Sequence, residues 1–200
     1  MLTHEPTLLL VDLQVGFDEP RWGRRNNPYA EDHASALLHA WRMAGRPVVH
    51  VRHMSTDPRS PLRPGQPGNA FKRQTAPAEG EQVIEKRVNS AFIGTTLEDD
   101  LRRAGCRGLV IAGLTTNHCV STTARMAGNL GFATWVVSDA TAAFDRVGPD
   151  GVLHPAERIH QVALSDLHGE FATVVDTATV IVTLPLPASA GSRRWSPSAL

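Results

Sequence analysis

This 200-residue chain has no surplus of charge of either sign: 20 Lys and Arg balance 20 Asp and Glu, and the isoelectric point is near 7.1. Nucleic acids and anionic membranes are drawn by basic stripes, so neither is expected as a partner, and a small molecule is the default. Cysteine is scarce, with Cys106 and Cys119 alone and no CxxC spacing. That excludes a disulfide framework and a cysteine zinc site built from the pair. Long apolar runs are missing too. Leu8 to Val11 is too short for a secretory or membrane-spanning segment and no basic stretch precedes it, so the chain reads as cytoplasmic. No internal repeat is found, and the length suits one domain of about 100 to 200 residues.

What is present is an alternation of short aliphatic runs with longer amphipathic ones. "TLLLVDLQ" reads as a buried strand, "PYAEDHASALLHAWRMAG" as a helix stopped at Gly45, and "RPVVHVRH" as a second strand. A Pro- and Gly-rich stretch from Ser55 to Gly80 follows and reads as a long loop inside the domain, where long loops are often functional. "EQVIEKRV", "RGLVIAG" and "FATWVVSDA" continue as strands, with helices at "TTLEDDLRRAG", "HCVSTTARMAGNLG" and "HPAERIHQVALSDLHG" between and after them. "FATVVDTATVIVTL" reads as a last strand running into a short helix, and 185–200 as a Pro/Ser-rich tail. The expected architecture is a doubly wound α/β domain over residues 1–184, its mostly parallel sheet covered by helices on both faces.

Such sheets bind ligands at the carboxyl ends of their strands. Asp12 ends "LLLVD", Lys86 ends "QVIEK", and Cys119 follows "LVIAG" at a helix start. Taken singly, each has a bland reading as a cap, a solvated lysine or a core thiol. Together they make a site. Asp12 lies among apolar residues and needs a cation, which Lys86 supplies. A lysine and a helix N-terminus both lower a thiol pKa, and backbone N–H groups at that turn can hold an oxyanion. Asp12 is then the acid/base group that takes the thiol proton and returns it to a leaving amine. Thr116 or Asn117 fits as the helix cap, and either could instead touch substrate.

The segments "DLQVGF", "EKRVNSAFIGTTL" and "VIAGLTTNHCVSTTARMAGNLGF" followed by "VVSDA" resemble the isochorismatase-like cysteine hydrolase superfamily, which includes nicotinamidases and N-carbamoylsarcosine amidohydrolases. The resemblance runs from residue 7 to about 180 and implies a three-layer α/β/α sandwich with about six strands. It carries over a triad of Asp12, Lys86 and Cys119, an oxyanion hole from the N–H groups of Thr115 and Cys119, and a cis peptide between Leu114 and Thr115. A homo-oligomer, dimer or tetramer, is also implied, with the tail around Trp195 as a possible contact.

Two departures from the family pattern stand out. Many members read D-x-Q-N-D-F, where this chain has Val15 and Gly16, a change expected to loosen polar contacts at the pocket mouth and leave Phe17 as the aromatic wall. Metal-binding members carry Asp-x-His after the second strand, whereas here the segment is "HVRHMSTDPRSPLRPG". His50 and His53 are three apart on a strand and point to opposite faces, so both read as structural, and no metal or cofactor is expected. His118, beside the nucleophile, reads as solvent-facing or supporting the turn. The expected activity is hydrolysis of a C–N bond in a small amide, carbamoyl compound or lactam through a thioester. Vinyl-ether hydrolysis and a non-catalytic scaffold are the alternatives.

Overall fold

The computed structural model describes Leu2 and residues 5–184. The tail, and the oligomer contact expected near Trp195, lie outside the described residues. In chain order the elements are β1 (Thr7–Val11), α1 (Ala30–Met43), β2 (Val48–His53), β3 (Gln82–Lys86), α2 (Leu97–Arg103), β4 (Gly108–Leu114), α3 (Ser121–Asn129), β5 (Ala133–Ala142), β6 (Arg146–Val147), β7 (Leu153–His154), α4 (Ala156–Ser165), β8 (Thr173–Val175) and α5 (Thr177–Thr183). Six strands form one parallel sheet in the order β3-β2-β1-β4-β5-β8, and β6 and β7 pair as a small hairpin. The expected α/β sandwich is present.

Why the central strands read as unbroken apolar runs follows from the layers. Leu8 and Leu10 of β1 pack with Leu37, Leu38 and Trp41 of α1 and Val180 of α5 on one face. Leu9 and Val11 point the other way, into a second cluster with Leu101 of α2 and Ala124 and Ala127 of α3. Alternate residues serve opposite cores, so Leu8 to Val11 are all apolar. The indole N–H of Trp41 donates to the Pro6 carbonyl at 3.0 Å, which satisfies the polar end of the largest fully buried side chain.

Strand order reverses between β1 and β4, and the crevice at their carboxyl ends is where such sheets place ligands. Gly113 fixes how closely the two strands meet there. Its φ is 130°, and a Cβ on it would lie 2.0 Å from the Val11 carbonyl oxygen, so only glycine allows this approach.

Candidate active site

Each reactive residue is delivered by a strand end. Asp12 follows β1 with φ 53°, an uncommon left-handed conformation for a residue with a side chain, and its N–H is held by the Val51 carbonyl at 2.9 Å. Lys86 is the last residue of β3, two strands away, and its long side chain crosses the end of β2 to reach Asp12. Cys119 sits inside a wide π-helical turn, Thr116–Val120, that leads into α3. The peptide bond between Leu114 and Thr115, just before that turn, is cis.

Lys86 is the hub. Its buried Nζ lies 2.6 Å from Asp12 Oδ2, 3.0 Å from His53 Nδ1 and 3.3 Å from Cys119 Sγ. An ammonium has three N–H donors, and here each has one acceptor. Asp12 and Lys86 are both fully buried, and such a pair is tolerable only when its remaining valences are met. One is not: Asp12 Oδ1 is buried without a hydrogen-bond partner. A carboxylate oxygen of Asp12 and the Cys119 sulfur lie within 4.8 Å, so an ionised acid beside the thiol keeps an open lone pair. The Asn89 side-chain oxygen stands 3.9 Å on another side of the sulfur.

The thiol does not behave as the sequence leads one to expect. Burial and the Asp12 charge push its pKa up, and they outweigh the opposing pull of Lys86. The expectation of a lowered pKa is therefore corrected: the resting group is a thiol, and its proton must leave during attack. The carboxylate that opposes thiolate formation is also a base beside the thiol.

His53 is the residue that sequence reasoning missed. It was grouped with His50 as structural, and the two do diverge: fully buried His50 turns to Glu81, with Nε2 2.8 Å from Oε2, while His53 turns to Lys86. What the sequence reading does not place is the ring of His53 against the Lys86 ammonium. The signal was available, since His53 is the last residue of β2 and the strand-end rule that picks Asp12 and Lys86 picks it as well. Its backbone is clamped by two buried amides. Gln14 Oε1 accepts from the His53 N–H at 2.8 Å and Gln14 Nε2 donates to its carbonyl at 3.2 Å, while Asn69 Nδ2 donates to the same carbonyl at 3.0 Å. Burial and the Lys86 charge lower the His53 pKa, which keeps the ring neutral.

Other expected contacts are placed differently. Thr116 is fully buried and its hydroxyl lies 2.8 Å from His160 Nδ1, a contact that ties the turn to α4. Asn117 reaches His118 Nε2 at 3.3 Å and lines a groove between α3 and α4 that Cys119 does not line. Neither caps the helix: the turn starts from Thr115, whose side chain makes no capping bond. His118 is held at 3.2 Å from the Thr115 hydroxyl, in the supporting role. Phe17 is buried against Trp22 and Phe144, and its free edge opens on a cleft of 580 Å³ shared with Arg25, Glu31 and Lys72. Gly16 is closely packed. A Cβ on it would meet Leu62 Cδ2 at 2.8 Å and the Gly68 carbonyl oxygen at 3.0 Å, so the long loop is packed directly on its backbone.

Asp12, His53 and Cys119 bring three potential ligand atoms within 4.8 Å of one another. The Lys86 ammonium is bonded to all three residues, so a cation there would stand against an existing positive charge, and the donor set does not fit one.

Comparison with known proteins identifies the family of the chain. Residues 6–179 match the model of the isochorismatase domain. An isochorismatase family protein of Bacillus subtilis, YrdC, is 44% identical over 180 residues, covering 90% of this chain and 96% of its own. The crystal structure of an isochorismatase-family protein from Chromobacterium violaceum superposes with a TM-score of 0.89 at 46% identity, over 92% of this chain and 95% of that one. N-carbamoylsarcosine amidase from Thermoplasma acidophilum does so with a TM-score of 0.70 at 26% identity, over 87% and 97%.

Proposed function

Because the chain belongs to the isochorismatase family of hydrolases, we propose that it is a cysteine amidohydrolase, cleaving the C–N bond of a small amide, carbamoyl compound or lactam through a thioester. The observation that carries this reading is the Lys86 ammonium held between the Asp12 carboxylate and the Cys119 thiol. N-carbamoylsarcosine amidase, which shares the fold, bears an amidase name, and that supports the amide class.

In the proposed reaction the Cys119 sulfur attacks the substrate carbonyl carbon as its proton passes to Asp12. The carbonyl oxygen takes the negative charge, stabilised by the N–H groups of Thr115 and Cys119; one such donor is worth roughly 3 kcal/mol in acyl transfer. Collapse of the tetrahedral adduct breaks the C–N bond while Asp12 gives its proton to the departing nitrogen. The amine or ammonia leaves and an acyl-Cys119 thioester remains. Water then adds to the thioester, giving one proton to Asp12 and its hydroxyl to the acyl carbon, and Asp12 returns that proton to the released sulfur. Lys86 stays an ammonium throughout, steadying whichever of Asp12 and Cys119 carries the charge. A raised resting pKa suits this cycle, because the thiolate exists only while Asp12 holds its proton.

The test is ammonia release from a panel of small primary amides, ureas, carbamoyl amino acids and lactams, with ring opening followed for the lactams. Wild type is compared with C119A, with and without EDTA. Release that survives EDTA and disappears in C119A is expected. Activity kept by C119A, or abolished by EDTA, overturns the mechanism.

A further inference from the structure

We propose that His53 is a positioning residue of this site: a neutral imidazole, protonated on Nε2, whose Nδ1 is the third acceptor of the Lys86 ammonium and fixes its direction between Asp12 and Cys119. This rests on the reading of Lys86 and Cys119 as working groups but goes beyond it, since neither the triad nor the family match assigns a role to this histidine.

The geometry leaves little freedom in the assignment. Lys86 Nζ lies 2.6 Å from the Asp12 carboxylate, so the lysine is the charged, donor-only partner. A ring nitrogen 3.0 Å from such a group can only accept, and a neutral imidazole that accepts at Nδ1 carries its proton on Nε2. The charged and titratable groups around the ring are Lys86 from β3, Asp12 after β1 and Cys119 after β4. Burial and Lys86 disfavour the imidazolium and Asp12 favours it, with a net lowering that keeps Nδ1 free to accept.

Two further observations indicate that the ring position matters. Nζ sits at the end of four flexible methylenes, and bonds to Asp12 and Cys119 alone leave it free to swing about the line joining them. A third acceptor on a different strand removes that freedom. The strand carrying this acceptor is itself fixed at both the N–H and the carbonyl of His53 by the buried amides of Gln14 and Asn69, which bond mainly to backbone groups. Such amides fix a position, as second-layer hydrogen bonds do around other reactive groups.

Three substitutions separate an acceptor from a filler of space. The side-chain oxygen of H53N falls near the place of Nδ1 and can still accept from Lys86. H53L fills a similar volume and accepts nothing. H53Q carries its amide near the place of Nε2. With an amide that the wild type hydrolyses, H53N is expected to keep kcat within about threefold, while H53L loses roughly tenfold or more in kcat with little change in KM. H53Q should fall with H53L. A packing role predicts the reverse order, with H53L close to wild type and H53N impaired, and that result overturns the proposal.

Nitrogen NMR of the histidine rings gives a readout independent of turnover. The expected signature is an Nε2-protonated neutral ring whose titration midpoint rises in K86M, where the repelling ammonium is gone. An Nδ1-protonated ring, or a midpoint unmoved in K86M, overturns the proposal even if no amide in the panel is hydrolysed. Silence across the panel with the expected NMR signature sinks the amidase reading and leaves His53 as the group that orients Lys86.

Discussion

D12N separates two jobs that one carboxylate performs, because it should move two assays in opposite directions. Asparagine tolerates the left-handed backbone at φ 53°, so the strand end need not rearrange. Asp12 raises the thiol pKa through its charge, while Lys86 lowers it. With the carboxylate gone and the ammonium left in place, the Cys119 pKa should fall, and each unit of fall multiplies the thiolate fraction near neutral pH about tenfold. Alkylation of Cys119 by iodoacetamide, read against Cys106 in the same peptide map, should therefore be faster in D12N than in wild type. Amide hydrolysis should instead drop by roughly 10²- to 10⁴-fold, the usual contribution of a positioned acid/base group. The protein also loses the partner of a fully buried ammonium, a loss that costs about 3 to 5 kcal/mol in comparable sites. At about 2 to 4 °C per kcal/mol for a chain this long, Tm should fall by about 6 to 20 °C. A folded D12N that alkylates more slowly than wild type would refute the electrostatic argument, and one that hydrolyses at the wild-type rate would refute the proton transfer.

Further outcomes follow from neighbouring contacts. K86M should slow Cys119 alkylation, the opposite of D12N, since the one charge that favours thiolate is removed; a rate equal to or above wild type contradicts this. Q14L strands the His53 N–H and frees the base of the loop, so urea melts should show a loss of about 1 to 3 kcal/mol together with reduced kcat; unchanged stability contradicts the clamp. Glu31 offers a pH test. Burial alone would raise its pKa, but the hydrogen bonds from Arg25 and Lys72 outweigh that and hold it at about 2, against an ordinary 4.5. Its folded-state pKa is depressed, so its stabilisation, about 3 kcal/mol, is complete above the ordinary value and fades as the pH falls toward the depressed one. Thermal melts across that window should fall less steeply in E31Q than in wild type, and identical slopes would argue against the pairing.

Much of the site can be read in the sequence because parallel sheets impose one rule, that ligands gather where strands end. Asp12, Lys86 and Cys119 each close or follow an apolar run, and the rule needs no knowledge of side-chain packing. What escaped required the third dimension. The direction of the thiol shift is set by how completely the sulfur is buried and by which of two opposite charges dominates, neither of which spacing records. His53 escaped for another reason: the period-2 argument shows that it diverges from His50, which speaks against a shared metal ion but does not say that the ring turns toward Lys86. Thr116 looked like a cap because threonine caps helices, yet a wide turn begins one residue earlier and His160 takes its hydroxyl. The Ser55 to Gly80 stretch reads as a long loop from its prolines and glycines, but its composition does not say which residues anchor it, and Leu62, Asn69, Lys72 and Thr75 in it are buried.

The contact of Gly16 with that loop bears on how such a chain can diverge. Gly16 and Gly68 touch backbone to backbone: a Cβ on Gly68 would lie 2.8 Å from Gly16 Cα and 2.6 Å from the Pro61 carbonyl oxygen. An aspartate at position 16, as in the D-x-Q-N-D-F pattern, requires the Leu62 side chain to turn aside and the Gly68 carbonyl, 3.0 Å from a Cβ there, to give way, so a change at one segment is felt by the other. A lineage passing between the two forms is therefore expected to adjust both segments. Exchanges of loops among relatives should therefore succeed only when residues 15–17 travel with the loop.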